Sequence, residues 1–353
     1  MKRSDIGAAL RRVWANNPLR SNPMLAKELR SRTRTWRSPA MVTGYVLLIG
    51  LIALAYLLIA ANQFRYGGGP QVGMQIFSVL SLFQLMLLAF ITPALTASAI
   101  NGERERQTFD LLMCTRLSPS AVVFGKLVSS MAYVLLLIFA SLPLFSVVFL
   151  FGGISLRDLG LVFGVDIATA LTFGVFGLFL SAVLRRPQAS TVMAYAASFF
   201  MVFGTVMVGL FLQGWQAARG IYDFRVTPIL LFSNPLLALI SVLGGPYGNV
   251  PYIAFFPLPL PNLYRGPQPY PAAPGAKVPT GLWAKFLQLP PWAIHFTIDA
   301  VLIVVLLALT IYLIRPVKRA PRWLVAVGRW MGRRFGPRGG SQRTKEAKGA
   351  LAW

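Results

Sequence analysis

Six stretches of this sequence are dominated by apolar side chains and contain no Lys or Arg: Met41–Ala61, Ile76–Ile100, Leu127–Phe151, Leu159–Leu184, Thr191–Leu212 and Ile294–Ile314. A helix needs ~20 mostly apolar residues to cross the hydrocarbon of a bilayer, and each stretch is long enough. Helices also satisfy their own backbone groups where no water can. The pattern therefore predicts an all-α integral membrane protein with six transmembrane helices. Pro93 and Pro143 fall inside the second and third runs, where each removes a helix hydrogen bond. A seventh apolar stretch, Pro228–Leu243, is interrupted at Ser233-Asn234-Pro235 and ends at Gly244-Gly245. It is expected to be re-entrant or interfacial rather than a crossing, because a crossing would place eleven C-terminal cations on the wrong side. The first run starts too far from the N-terminus for a signal peptide, so an uncleaved anchor is expected.

Between the spans the charges sort. Residues 1–40, the loop 101–119 with Lys126, the Arg185-Arg186 turn and the tail 315–353 hold 27 of the 34 Lys and Arg residues. Cationic loops stay on the cytoplasmic side, so both termini are expected in the cytoplasm and the protein in the cell's inner membrane, multi-pass. The same count reinterprets the composition. The formal net charge is +24, with 56% hydrophobic and 12% charged residues. A basic balance can signal nucleic acid, but a chain this apolar points to membrane lipid instead. One Cys, one His and ten scattered acids leave no disulfide, no metal site and no catalytic centre to expect.

The segments outside the spans differ in character. Asn22 and Pro23 can open a helix over residues 22–37, with Leu25, Leu29 and Trp36 near one face and Lys27, Arg30, Arg34 and Arg37 elsewhere. That arrangement suits an amphipathic elbow helix on anionic headgroups. A second basic interfacial helix is expected around Trp323, Val327, Trp330 and Met331. Residues 213–293 contain 14 of the 25 prolines, interleaved with Tyr and Phe, and predict an extended outer segment. The loop 101–119 alternates Glu103, Arg104, Glu105 and Arg106, passes through Thr108, Phe109, Asp110, Leu111 and Leu112, and ends at Ser118-Pro119, which can cap the next helix. It reads equally as a docking helix or a solvated turn.

Asp166, His295 and Asp299 lie within spans, His295 and Asp299 four residues apart on one helical face. Intramembrane ionisable groups suggest a polar pathway. The plainer expectation is that both acids reach interfacial water. Gly160, Gly164, Ala168 and Thr172 form a small-residue stripe that would let another helix approach.

These residues together resemble the permease subunits of ABC transporters, in the type-2 exporter permease family. Asn22 to Arg30 is similar to that family's elbow before the first span, with Lys27, Glu28 and Arg30 as its charged residues. Gly102-Glu103-Arg104-Glu105-Arg106-Gln107-Thr108, then Leu111-Leu112, Leu117-Ser118-Pro119 and Gly125-Lys126, is similar to its coupling loop. Gln107 stands where the family commonly has Gly, and Arg116 where it often has Pro. The resemblance implies two paired permease subunits, each docked on a separate ATP-binding subunit through Glu103, Arg104, Glu105, Arg106, Thr108 and Asp110. ATP would be bound by that partner. The chain agrees, since Gly125-Lys126 lacks the earlier Gly and the following Ser or Thr of a phosphate loop. An ion- or proton-coupled secondary transporter and a membrane-embedded lipid-modifying enzyme stand as alternatives. No nucleic-acid partner is expected.

Overall fold

A computed structural model describes residues 36–64, 69–109, 118–218, 233–243 and 289–314. The chain divides into two compact units, Met1–Leu313 and Ile314–Trp353. Only Ile314 of the second unit is among the described residues. The elbow with Lys27, Glu28 and Arg30, the Pro-rich residues 244–288 and the tail from 315 lie outside them.

The described residues form helices and no strand. In chain order these are α1 (Arg37–Phe64), α2 (Gly69–Thr96), α3 (Asn101–Glu105), α4 (Pro119–Phe149), α5 (Leu156–Val183), α6 (Pro187–Phe199), a π segment (Phe200–Gly204), α7 (Thr205–Ala218), α8 (Pro235–Leu243) and α9 (Pro291–Ile314). Among the described residues, six stretches are long and apolar enough to cross a membrane: Ser38–Ala60, Val72–Glu105, Pro119–Phe149, Leu156–Val183, Pro187–Gly209 and Pro291–Ile314. Pro93 and Pro143 sit inside the continuous helices α2 and α4.

Local chemistry fixes several ends. Ser118 accepts from the Ala121 N–H and Pro119 takes the first helical position, so α4 begins eight residues before its apolar run. Lys126, the residue that delays the run, is buried within α4. Ser155 and Asp158 close a reciprocal capping box on α5.

α2 and α5 form the centre. Their spans are 56% buried, against 11% for the α1 span and 22% for α9. Contacts along the α2–α5 seam keep one register: Gln84 meets Asp166, Thr92 meets Gly174 and Thr96 meets Gly177, and Ile100 meets Ser181. Partners advance together, so the two helices run parallel. In hydrocarbon, apolar burial gives little drive for association, and close packing of small residues takes over. Gly177 shows this, because a β-carbon there would collide with Thr96. The Gly160 stripe faces differently. Gly164 lies against Phe296 of α9, and Gly160 has open space. Phe77, Phe145 and Phe163 join α2, α4 and α5 edge to face, with centroids 5.7 and 5.3 Å apart.

α8 is a nine-residue helix buried at every position. At ~1.5 Å per residue it is too short to cross ~30 Å of hydrocarbon. It packs on α2, α5 and the π segment.

Candidate functional site

The loop after the second span is built into the helix bundle at one end. Ser181 Oγ accepts from the backbone N–H of both Ile100 and Asn101, each at 3.0 Å. Asn101 Nδ2 donates to Ser190 Oγ at 3.1 Å, and Ser190 donates to the Ala97 carbonyl at 2.7 Å. Arg104 donates to the Ala182 carbonyl at 3.1 Å, and its guanidinium lies 5.0 Å from the centre of the Phe109 ring. Three spans therefore hold α3: its own helix α2, then α5, then α6.

The predicted loop residues divide in two. Glu103 turns inward: its Oε1 accepts from Lys126 Nζ at 3.1 Å, with the lysine side chain 4% and the glutamate side chain 27% exposed. Thr108 folds back onto Glu103, its N–H donating to the Glu103 carbonyl at 3.0 Å and its hydroxyl contacting the carboxylate. Glu105, Arg106 and Gln107 point out and are exposed. Asp110 lies outside the described residues. Thus Glu103, Arg104 and Thr108 shape the loop, while Glu105 and Arg106 form its outward face. Gly125-Lys126 was grouped with this loop in the sequence, but the pairing of Lys126 with Glu103 was not. The turn is made at Gln107, whose φ of 57° is left-handed. A non-glycine side chain costs roughly 1–2 kcal/mol there.

The intramembrane acids are also placed. Asp166 is 0% and Asp299 1% exposed, so neither carboxyl reaches the surface. His295 Nε2 lies 3.2 Å from Asp299 Oδ2. Gln84 Nε2 donates to Asp166 Oδ2 at 2.8 Å. The two acids do not converge on one another through any hydrogen bond among the described residues. Among the described residues, no group of three His, Cys, Asp or Glu side chains gathers there either.

A second polar junction was legible only as a helix break. Asn234 Nδ2 donates to the carbonyls of Met201 (3.0 Å) and Val202 (2.7 Å) and to Thr205 Oγ1 (2.6 Å), while its Oδ1 accepts from the N–H of Leu236 (2.7 Å) and Leu237 (3.2 Å). One amide thus caps α8 and bonds carbonyls of the π segment.

Compared with known families, residues 62–312 match the family model described as ABC-2 family transporter protein. The matched region runs from the end of α1 to the end of α9, and includes the loop, Asn234 and the intramembrane acids. A comparison with curated proteins finds no match.

Proposed function

The chain belongs to the ABC-2 transporter family, as a membrane permease, and from that premise we propose that its loop after the second span docks a separate ATP-binding subunit. Glu105 and Arg106 offer the contact. Glu103, Arg104 and Thr108 hold the loop in shape, and Asp110 and the elbow residues Lys27, Glu28 and Arg30 complete the docking surface. ATP is bound and hydrolysed on the partner, whose closure pushes the loop. The observation that carries this reading is the double hydrogen bond from Ile100 and Asn101 to Ser181. A push on α3 is delivered directly to the α2–α5 seam, and the substrate path opens as that seam and its neighbours shift.

The orientation follows the charge sorting: both termini and the loop are cytoplasmic, in the inner membrane. Exposed Leu47, Leu51, Leu54 and Leu58 on α1, with Val301, Val304 and Val305 on α9, offer apolar faces to lipid and to a second permease subunit. Family membership favours this reading over a secondary transporter or a lipid-modifying enzyme, since the family comprises transporter membrane components.

Charge reversal at the loop's outward face is the test. The double variant E105K/R106E should fold and insert normally, because both side chains are exposed. It should lose at least tenfold in affinity for the ATP-binding subunit and in substrate-stimulated ATP hydrolysis. Unchanged binding and hydrolysis would remove the docking role.

A further inference from the structure

The seam between α2 and α5 contains a hydrogen-bond account that does not balance. Asp166 and Gln84 are both fully buried. Gln84 Nε2 donates to Asp166 Oδ2, but Asp166 Oδ1 and Gln84 Oε1 have no partner among the described residues. Both orphaned atoms are acceptors when the acid is ionised. What is missing is a donor.

The groups facing Asp166 do not supply a positive charge. Tyr45 of α1 approaches it, close to Ser141 of α4. Thr169, one turn along α5, is a buried hydroxyl. On α9, His295 Nε2 lies 3.2 Å from Asp299 Oδ2. α8 carries no titratable side chain. The Lys and Arg residues among the described segments all lie at or near span ends: Arg37, Arg104, Arg106, Lys126, Arg157, Arg185 and Arg186. An ionised carboxylate between two apolar helices would be uncompensated and costly.

We propose that Asp166 and Gln84 bind one proton between them, as a neutral carboxylic acid–amide pair that latches α2 to α5. A protonated carboxyl and the facing edge of a primary amide each present one donor and one acceptor. Protonating the carboxylate turns an acceptor into a donor and leaves the acid neutral, with no electron transferred. The proton is exchanged with water whenever the seam is opened. Once it is lost, acceptors face one another and α2 parts from α5 at this level. That level lies fifteen residues, or ~22 Å, along α5 from the Ser181 bonds at the loop end. Opening of this half of the seam is thereby tied to protonation. The inference does not rest on the docking role of the loop.

Infrared spectroscopy of the full-length chain in lipid nanodiscs at neutral pH tests this. The wild type should show a protonated-carboxyl stretch that shifts when aspartate is isotope-labelled, so the assignment needs no variant. D166N, an isostere of the neutral acid that keeps both hydrogen-bond edges, should fold and lose the band. Q84L should retain the band at a shifted frequency, and D299N should leave it unchanged. Absence of a labelled-aspartate band in the wild type, or its survival in D166N, overturns the proposal. So does a melting temperature that rises with sodium against choline in the wild type without that band, which would make the bound cation a metal ion.

Discussion

Replacing Asn234 with Ala is expected to destabilise the protein by roughly 2–4 kcal/mol, more than any other single polar substitution considered above. The side chain is fully buried and makes five hydrogen bonds. Loss of the cap exposes the Leu236 and Leu237 N–H groups without a partner. Loss of the amide donor strands the Met201 and Val202 carbonyls, which a π segment frees from the ordinary helical ladder. The two losses can be separated. Ser at this position restores a cap acceptor but cannot span to the π segment, so N234S should fall between wild type and N234A. N234D keeps the acceptor but sets a charge against three acceptors, and should be no better than Ala. Unfolding in detergent, followed by melting temperature for the series, checks this order. Equal stability of N234A and wild type would mean that α8 is held by its apolar packing alone.

The second large effect concerns the seam, where two Gly→Ala changes on the same helix should have opposite signs. Gly160 has open space around it, so G160A gains helix propensity of up to about 1 kcal/mol. At Gly177 the same methyl would collide with Thr96 and come within 3.3 Å of the Ala97 backbone nitrogen. Backbone cannot rotate away as a side chain can. G177A should cost roughly 1–3 kcal/mol despite the propensity gain, and G177V more. Because the collision sits between the Asp166 and Ser181 levels, G177A should also weaken coupling of ATP hydrolysis to transport, whereas G160A should leave it intact. Melting temperatures in detergent and transport per ATP in proteoliposomes give both readouts. A G177A protein as stable and as well coupled as G160A would show that the seam is not tightly closed.

What could be read from the chain, and what could not, follows from these sites. Span number depends on length and apolarity, which are local, and all six spans were legible. The Ser118-Pro119 cap was also legible, yet the third span was drawn from Leu127. Lys126 reads as a boundary in sequence, and only the tertiary pairing with Glu103 explains how a lysine can be buried there. The small-residue stripe on α5 was visible, but helical periodicity does not say which neighbour a stripe meets. Gly164 faces α9, and the tightest approach to α2 falls at Gly177, outside that stripe. Burial of Asp166 and Asp299 ran against the plainer expectation of interfacial water. Gln84 was passed over because one amide in an apolar run carries no pattern, and its meaning comes from a partner 82 residues away. The π segment has no signature in Phe200-Met201-Val202-Phe203-Gly204 either. Asn234 could be read as a break, but not as a clamp.

The central claim is that the exposed face of the loop meets an ATP-binding subunit. Site-specific cross-linking tests it most directly, in a background where Cys114, the sole cysteine, is replaced by Ser. In native membranes, E105C and R106C should each cross-link to a soluble chain that takes an azido-ATP label. L150C, at the opposite end of the bundle, should not. Cross-links to the ATP-binding chain from L150C, or none from the two loop positions, would contradict the account.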